Sequence, residues 1–155
     1  MITIAFLADH MDAVPVLARW FQAQWPDYFA GRPLTDIEQD FHADANRDHI
    51  PTRLVALVDD ELAGTIVLRE RAFGDYAAYS PGLGGLYVAE AYRRRGVGAA
   101  LITAGVDVSR AQGHATIYAA TSVAHGLFTR LGWDLIDTVV EGDEQVGVYC
   151  YDSDA

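Results

Sequence analysis

Leu86-Tyr87-Val88-Ala89-Glu90-Ala91-Tyr92-Arg93-Arg94-Arg95-Gly96-Val97-Gly98-Ala99-Ala100-Leu101 is the stretch that decides how this chain folds. It reads as a strand, a basic loop, a glycine turn and the start of a helix. A helix N-terminus exposes unpaired backbone N–H groups and the positive end of the helix dipole. Gly96 and Gly98 carry no Cβ, so an anion can approach those donors closely. Three arginines directly before them add charge. The dipole alone is worth about 0.3–1 kcal/mol, and charge-assisted hydrogen bonds from several N–H groups and arginine would add more. Two common phosphate loops do not fit. A P-loop needs a lysine, and the chain has none. The dinucleotide fingerprint needs Gly or Ala where Leu101 stands.

Outward from this stretch the pattern alternates between periods of two and of three to four. Met1–Ala8 reads as a strand, with Asp9 as the cap of a helix whose apolar face is Met11, Val14, Leu17, Ala18, Phe21 and Trp25. Thr35 and Glu38 form a capping-box signal for a second helix running to about Arg47. Thr52–Val58 and Leu62–Arg69 make a hairpin, with Gly64 marking a bulge or a close backbone approach. After the loop 70–81 come a strand at Leu83–Ala89, a helix at Gly96–Gln112 stopped by Gly113, and a strand at Ala115–Ala120. Ser122 is the expected cap of a short helix ending at Gly132, and Trp133–Val140 and Gln145–Tyr151 are the last strands. The expected order is β-α-α-β-β-β-α-β-α-β-β, an α/β (α+β) domain spanning 1–155 with a mainly antiparallel sheet flanked by helices.

Composition narrows the function. The chain has 155 residues, 22 acidic and 11 basic, giving a net charge of −11, and every basic residue is arginine. Such a body lacks the basic face that nucleic acid requires, and it attracts cationic small molecules. No apolar run is long enough to span a membrane, and the first residues carry no basic n-region, so the expectation is a cytoplasmic protein. The single cysteine, Cys150, excludes an internal disulfide, and the five histidines show no ligand spacing, so no metal is expected.

The chain resembles the GCN5-related N-acetyltransferase (GNAT) superfamily. Arg93-Arg94-Arg95-Gly96-Val97-Gly98 matches its R/Q-x-x-G-x-G/A acetyl-CoA motif, and Leu86-Tyr87-Val88 matches the strand before it. Leu127-Phe128-Thr129-Arg130-Leu131-Gly132-Trp133 looks like its second conserved block, and the element order fits nearly the whole chain. The resemblance implies that acetyl-CoA wedges between two splayed strands. Backbone groups of Leu86 and Val88, on either side of Tyr87, would then bond the pantetheine. The N–H groups from Arg94 through Ala99, including Arg95 and Val97, would cradle the pyrophosphate, with Arg93 adding charge. Phe128 would pack near the thioester. The resemblance makes a homodimer possible, and the oligomeric state stays open.

Acetyl transfer needs a neutral amine, and an alkyl amine of pKa near 10.4 is only about one part in 2,500 neutral at pH 7, a cost of roughly 4.6 kcal/mol. The family often supplies a strand glutamate as base and a helix tyrosine as acid. Here the strand reads Leu83-Gly84-Gly85-Leu86 and the tyrosine position is Phe128. The substitutes are Glu70, at the end of the third strand, as base, and His125, three residues before Phe128, as a proton relay. Trp25, Tyr28 and Tyr79 are the expected acceptor-site aromatics, since ring faces and Asp27 suit a cation. The function expected is transfer of acetyl to a primary amine, either a small cationic amine or a peptide N-terminus. Two alternatives stand beside it: an acetyl-CoA-binding module without turnover, favoured by the missing acid and base, and a transferase for longer acyl groups, with Gly84, Ala119 and Ala120 leaving room.

Overall fold

Strands whose side chains are apolar on both faces must be covered on both faces, and β2 and β3 of this chain are of that kind. The computed structural model describes residues 1–74 and 76–153. Its elements are β1 (Ile2–Phe6), α1 (Val14–Gln24), α2 (Leu34–Ala43), β2 (Thr52–Val58), β3 (Glu61–Arg69), β4 (Gly82–Val88), α3 (Val97–Ala111), β5 (Thr116–Thr121), α4 (His125–Arg130), β6 (Asp134–Glu141) and β7 (Glu144–Asp152). This is the expected order of helices and strands. The strands form one sheet in the order β1-β2-β3-β4-β5-β7-β6. Every neighbouring pair is antiparallel except β4 and β5.

Two cores lie on opposite faces of the sheet. On one, Leu101, Ile102 and Val97 of α3 and Phe128 of α4 pack on Leu54, Ile66, Leu68 and Leu83. On the other, Leu17 and Phe21 of α1 and Ile37 and Phe41 of α2 pack on Val55. Leu101, Ile102, Leu17 and Ile37 are fully buried, and each contributes about 1.5–3 kcal/mol by leaving water. Gly64 is both of the things its position suggested. The β2–β3 register shifts next to it, and a Cβ at Gly64 would come within 2.6 Å of the Tyr87 carbonyl oxygen.

Three local expectations are corrected. Asp9 does not cap α1: the chain makes two 3-10 turns first, at Leu7–Asp9 and Met11–Ala13, and Asp9 pairs with Arg47 instead. The Thr35–Glu38 capping box does not form, because α2 starts at Leu34 directly after Pro33, which places Thr35 inside the helix; α2 also ends at Ala43, short of Arg47. Before α4 the capping oxygen belongs to Thr121, not Ser122: Thr121 Oγ1 accepts from the N–H groups of Val123 (3.2 Å) and Ala124 (2.9 Å).

Candidate functional site

The site begins with an interruption in the sheet. β4 and β5 are bridged at a single position, Gly82 to Tyr118, and diverge beyond it. Their backbones therefore leave a seam open along Leu83–Val88. On its other edge β4 pairs with β3, but the register shifts between Thr65 and Val67, so β4 carries one extra residue there. Gly85 takes a φ of 60° at this bulge. The ladder also orients the strand's polar groups. Ala89 N–H donates to Ala63 O at 2.8 Å, which makes Ala63–Ala89 a hydrogen-bonded pair and its neighbour, Gly64–Val88, a non-hydrogen-bonded one. Val88 thus turns its N–H and C=O toward the seam, and its carbonyl accepts from Arg93 Nε at 2.8 Å.

At the end of the seam the chain enters α3. Arg94 and Gly96 both have positive φ, 64° and 84°, and Gly96 is the N-cap with no side-chain cap bond. The first N–H groups of a fifteen-residue helix are left for a ligand. Gly98 faces Leu127, whose Cδ2 would lie 3.4 Å from a Cβ there. Two of the three arginines turn back on neighbouring rings, Arg93 over Tyr87 at 5.8 Å and Arg95 over Tyr92 at 5.6 Å. These residues suit a pyrophosphate: donors are unspent, the charge is positive and no side-chain oxygen competes.

Across β4 from this seam lies a cavity of about 710 Å³. Its floor is the sheet face carrying Arg53, Val67, Arg69 and Gly85, and its walls are Trp25, Tyr28 and Phe29 after α1, Asp40, Phe41 and Asp44 of α2 and its end, and Arg71, Ala72 and Phe73 of the following loop. Glu141, at the end of β6, completes it. Arg53 is 5% exposed, donates from Nε to Asp44 (2.9 Å) and from Nη1 to Thr65 Oγ1 (3.2 Å), and lies over Phe41 and Phe21. Burial pushes the Arg53 guanidinium below and the Asp44 carboxyl above its ordinary pKa, and each is opposed by the charge of the other.

The expected site residues are distributed around these features. Trp25 and Tyr28 line the cavity; Trp25 packs edge-on against Phe21 at 5.0 Å, and Tyr28 stands exposed at the rim. Tyr79 is not part of that lining: it stacks between Tyr76 and Tyr118 and donates to Asp137 at 2.5 Å, which raises its pKa. Glu70 is exposed just past β3, whose last residue pairs with Gly82 at the start of β4. His125 shares a 2.9 Å hydrogen bond with Tyr149 Oη, and Phe128 is buried against Tyr149 and Trp133. The space at Gly84 is filled by Arg69, whose Cζ would lie 2.6 Å from a Cβ there. The sequence reading missed Arg53, Asp44 and Glu141, which gave no motif signal.

An open parallel seam, a bulged central strand and an anion-ready helix start define an acetyl-CoA-binding fold of the transferase class. The comparisons agree. The profile of the acetyltransferase (GNAT) family matches residues 16–133, and the chain belongs to that family. Among solved structures, the acetyl-CoA complex of yncA from Salmonella typhimurium is similar at 16% identity and a TM-score of 0.74, covering 98% of this chain and 94% of that one. An aminoglycoside 6'-N-acetyltransferase complexed with coenzyme A has 15% identity and a TM-score of 0.72, covering 97% of each chain. The aminoglycoside 6'-N-acetyltransferase from Enterococcus faecium has 15% identity and a TM-score of 0.73, again covering 97% of each. Likeness at this identity establishes the shared fold. No curated protein sequence matches the chain. Among the described residues no helix is long and apolar enough to cross a membrane, and no group of three acidic, histidine or cysteine side chains could hold a metal.

Proposed function

We propose that the protein transfers the acetyl group of acetyl-CoA to a primary amine, by direct attack in a ternary complex. The observation that carries this reading is that the 710 Å³ cavity reaches β4 at Gly85, in the Gly85–Leu86 bulge of the strand whose other edge is the open seam. Acetyl-CoA supplies the activated thioester. Leu86 and Val88 bind its arm through their backbone, Arg94–Ala99 hold the pyrophosphate, and Phe128 forms the wall at the thioester end. Trp25 and Tyr28 hold the acceptor, and Tyr79 steadies the rim through Asp137. The amine forms the new C–N bond, the C–S bond breaks, and one proton must leave the nitrogen while one reaches the thiolate. Glu70 is assigned the first proton, with Glu141, a carboxylate that lines the cavity, as the second candidate; His125 is assigned the proton that reaches the thiolate. A backbone N–H of Val88 stabilises the developing oxyanion.

Calorimetric titration with acetyl-CoA, with ATP and NAD as controls, tests the first half, and amine-dependent release of CoA thiol tests the second. Acetyl-CoA is expected to bind and the controls to bind far more weakly. Binding without thiol release from any amine would overturn the transferase reading in favour of a binding module.

A further inference from the structure

The acceptor cavity carries a charge pattern that a simple amine does not account for. In a chain with twice as many acids as bases, three of the 11 arginines, Arg53, Arg69 and Arg71, line this one cavity. The carboxylates beside them are mostly engaged. Asp40 is held by Arg32 at 2.9 Å, and Asp44 by Arg53 Nε. Arg53 Nη2 makes no hydrogen bond among the described residues, and would lie 3.6 Å from a Cβ at Gly85. Arg69 makes no ion pair among them. Its Nε and Nη2 donate only to the neutral carbonyls of Arg71 (3.0 Å) and Ala72 (3.2 Å), and its Nη1 to nothing.

These two guanidinium groups repel one another, and both are drawn to the one Asp44 carboxylate. Both also press against β4 where it has no side chain: Arg69 fills the space over Gly84, and Arg53 lies by Gly85. The lining as a whole balances its three arginines with Asp40, Asp44 and Glu141, but Asp40 is held by Arg32, so Arg53 and Arg69 share Asp44 at the bulged strand, and two guanidinium groups sharing one carboxylate in a partly desolvated cavity favour a second anion. A carboxylate is the fitting anion, because two planar guanidinium forks match its two oxygens.

We infer that the acceptor is an α-amino acid: a primary amine whose neighbouring carboxylate is held between Arg53 and Arg69 at the bulge. This rests on the transferase reading and replaces a purely cationic acceptor with a zwitterion. The amine then faces Glu141, whose side chain has no hydrogen bond or ion pair among the described residues. The acceptor's side chain extends along Trp25, Tyr28, Phe29 and Phe73, which favours an apolar or aromatic amino acid.

The test is initial-rate thiol release from acetyl-CoA with three matched series: the proteinogenic amino acids, their carboxamides and their decarboxylated amines. The carboxamide keeps the size and removes the charge, and it also stands in for a peptide N-terminus. At least one amino acid is expected to exceed both its amide and its amine by about tenfold or more in kcat/KM. Arg69→Gln, which leaves the buried Arg53–Asp44 pair in place, should erase that preference chiefly through KM and leave acetyl-CoA affinity unchanged, while Arg69→Lys should retain part of it. Amides or amines turned over as well as the acids, or an undiminished preference in Arg69→Gln, would overturn the inference and leave the transferase reading intact. Thiol release from none of the three series, with acetyl-CoA still binding, would overturn both.

Discussion

Arg53 stands with its Cζ 4.7 Å from the Phe41 ring and 5.3 Å from Phe21, between the buried Thr52 and Leu54 of β2. Its removal alone strands Asp44, which is only 20% exposed. Breaking one partner of a buried pair costs about 3–5 kcal/mol, whereas replacing both with apolar groups is near neutral. Arg53→Met should therefore lose about that much by urea denaturation, and Arg53→Met combined with Asp44→Leu should recover most of it. The loss also has a sign in pH. Burial already raises the Asp44 pKa, and Arg53 charge is what holds it down. Without Arg53 the folded state binds that proton more tightly than the unfolded chain does, so stability falls as pH rises through the raised pKa. The gap between wild type and Arg53→Met should be smaller at about pH 4.5 than at about pH 7; a gap that does not change with pH would refute the account. The proton carriers are separable at the same scale. If Glu70 is the base, Glu70→Gln lowers kcat by about 10²-fold or more with the acetyl-CoA Kd unchanged. A loss confined to Glu141→Gln moves the role to the cavity wall.

At the scale of elements, α3 and β4 act as one unit, since the seam ends where the helix donors begin. Gly98→Trp places an indole beside Leu127 at the mouth of that helix, and should weaken acetyl-CoA binding by at least about tenfold, one decade or about 1.4 kcal/mol, with little change in thermal unfolding. Unchanged affinity would move the pyrophosphate elsewhere. This unit was legible in the sequence because its glycines, strand and helix are contiguous, and a helix start with spare donors is a local property. Short caps were less legible. Thr35 with Glu38 and Ser122 satisfied local rules, but Pro33 and Thr121 won because tertiary packing set where α2 and α4 begin. Arg53 and Asp44 were invisible for a different reason. A lone arginine in a strand reads as solvated, and only the packing of α2 on the β2 face brings Asp44 within 2.9 Å of it. Trp25 and Tyr28 were found because a run of aromatics after a helix is a local signal, while Glu141 reaches the same cavity from the far end of the chain.

At the scale of the molecule, a net charge of −11 surrounds a site that we propose attracts a polyanion and holds a zwitterion. The two fields differ in range. The Debye length is about 30 Å at 0.01 M salt and about 8 Å at 0.15 M. At low salt an approaching acetyl-CoA feels the whole acidic body, and the three arginines before α3 are a minority charge. Raising the salt to about 0.15 M screens the body first and leaves the cradle, whose charges and N–H donors act at contact distance. The association rate of acetyl-CoA in stopped-flow mixing should therefore rise between about 0.01 M and 0.15 M salt, then fall as screening reaches the cradle itself. A zwitterionic acceptor, with no net charge to steer, should show a nearly flat KM over the first range. A simple cationic amine should instead show a KM that increases with salt, because screening removes its attraction to the acidic body. An acetyl-CoA association rate that falls from the lowest salt upward would mean that Arg93, Arg94 and Arg95 dominate the field at long range, and that the acidic surface has no part in setting the encounter.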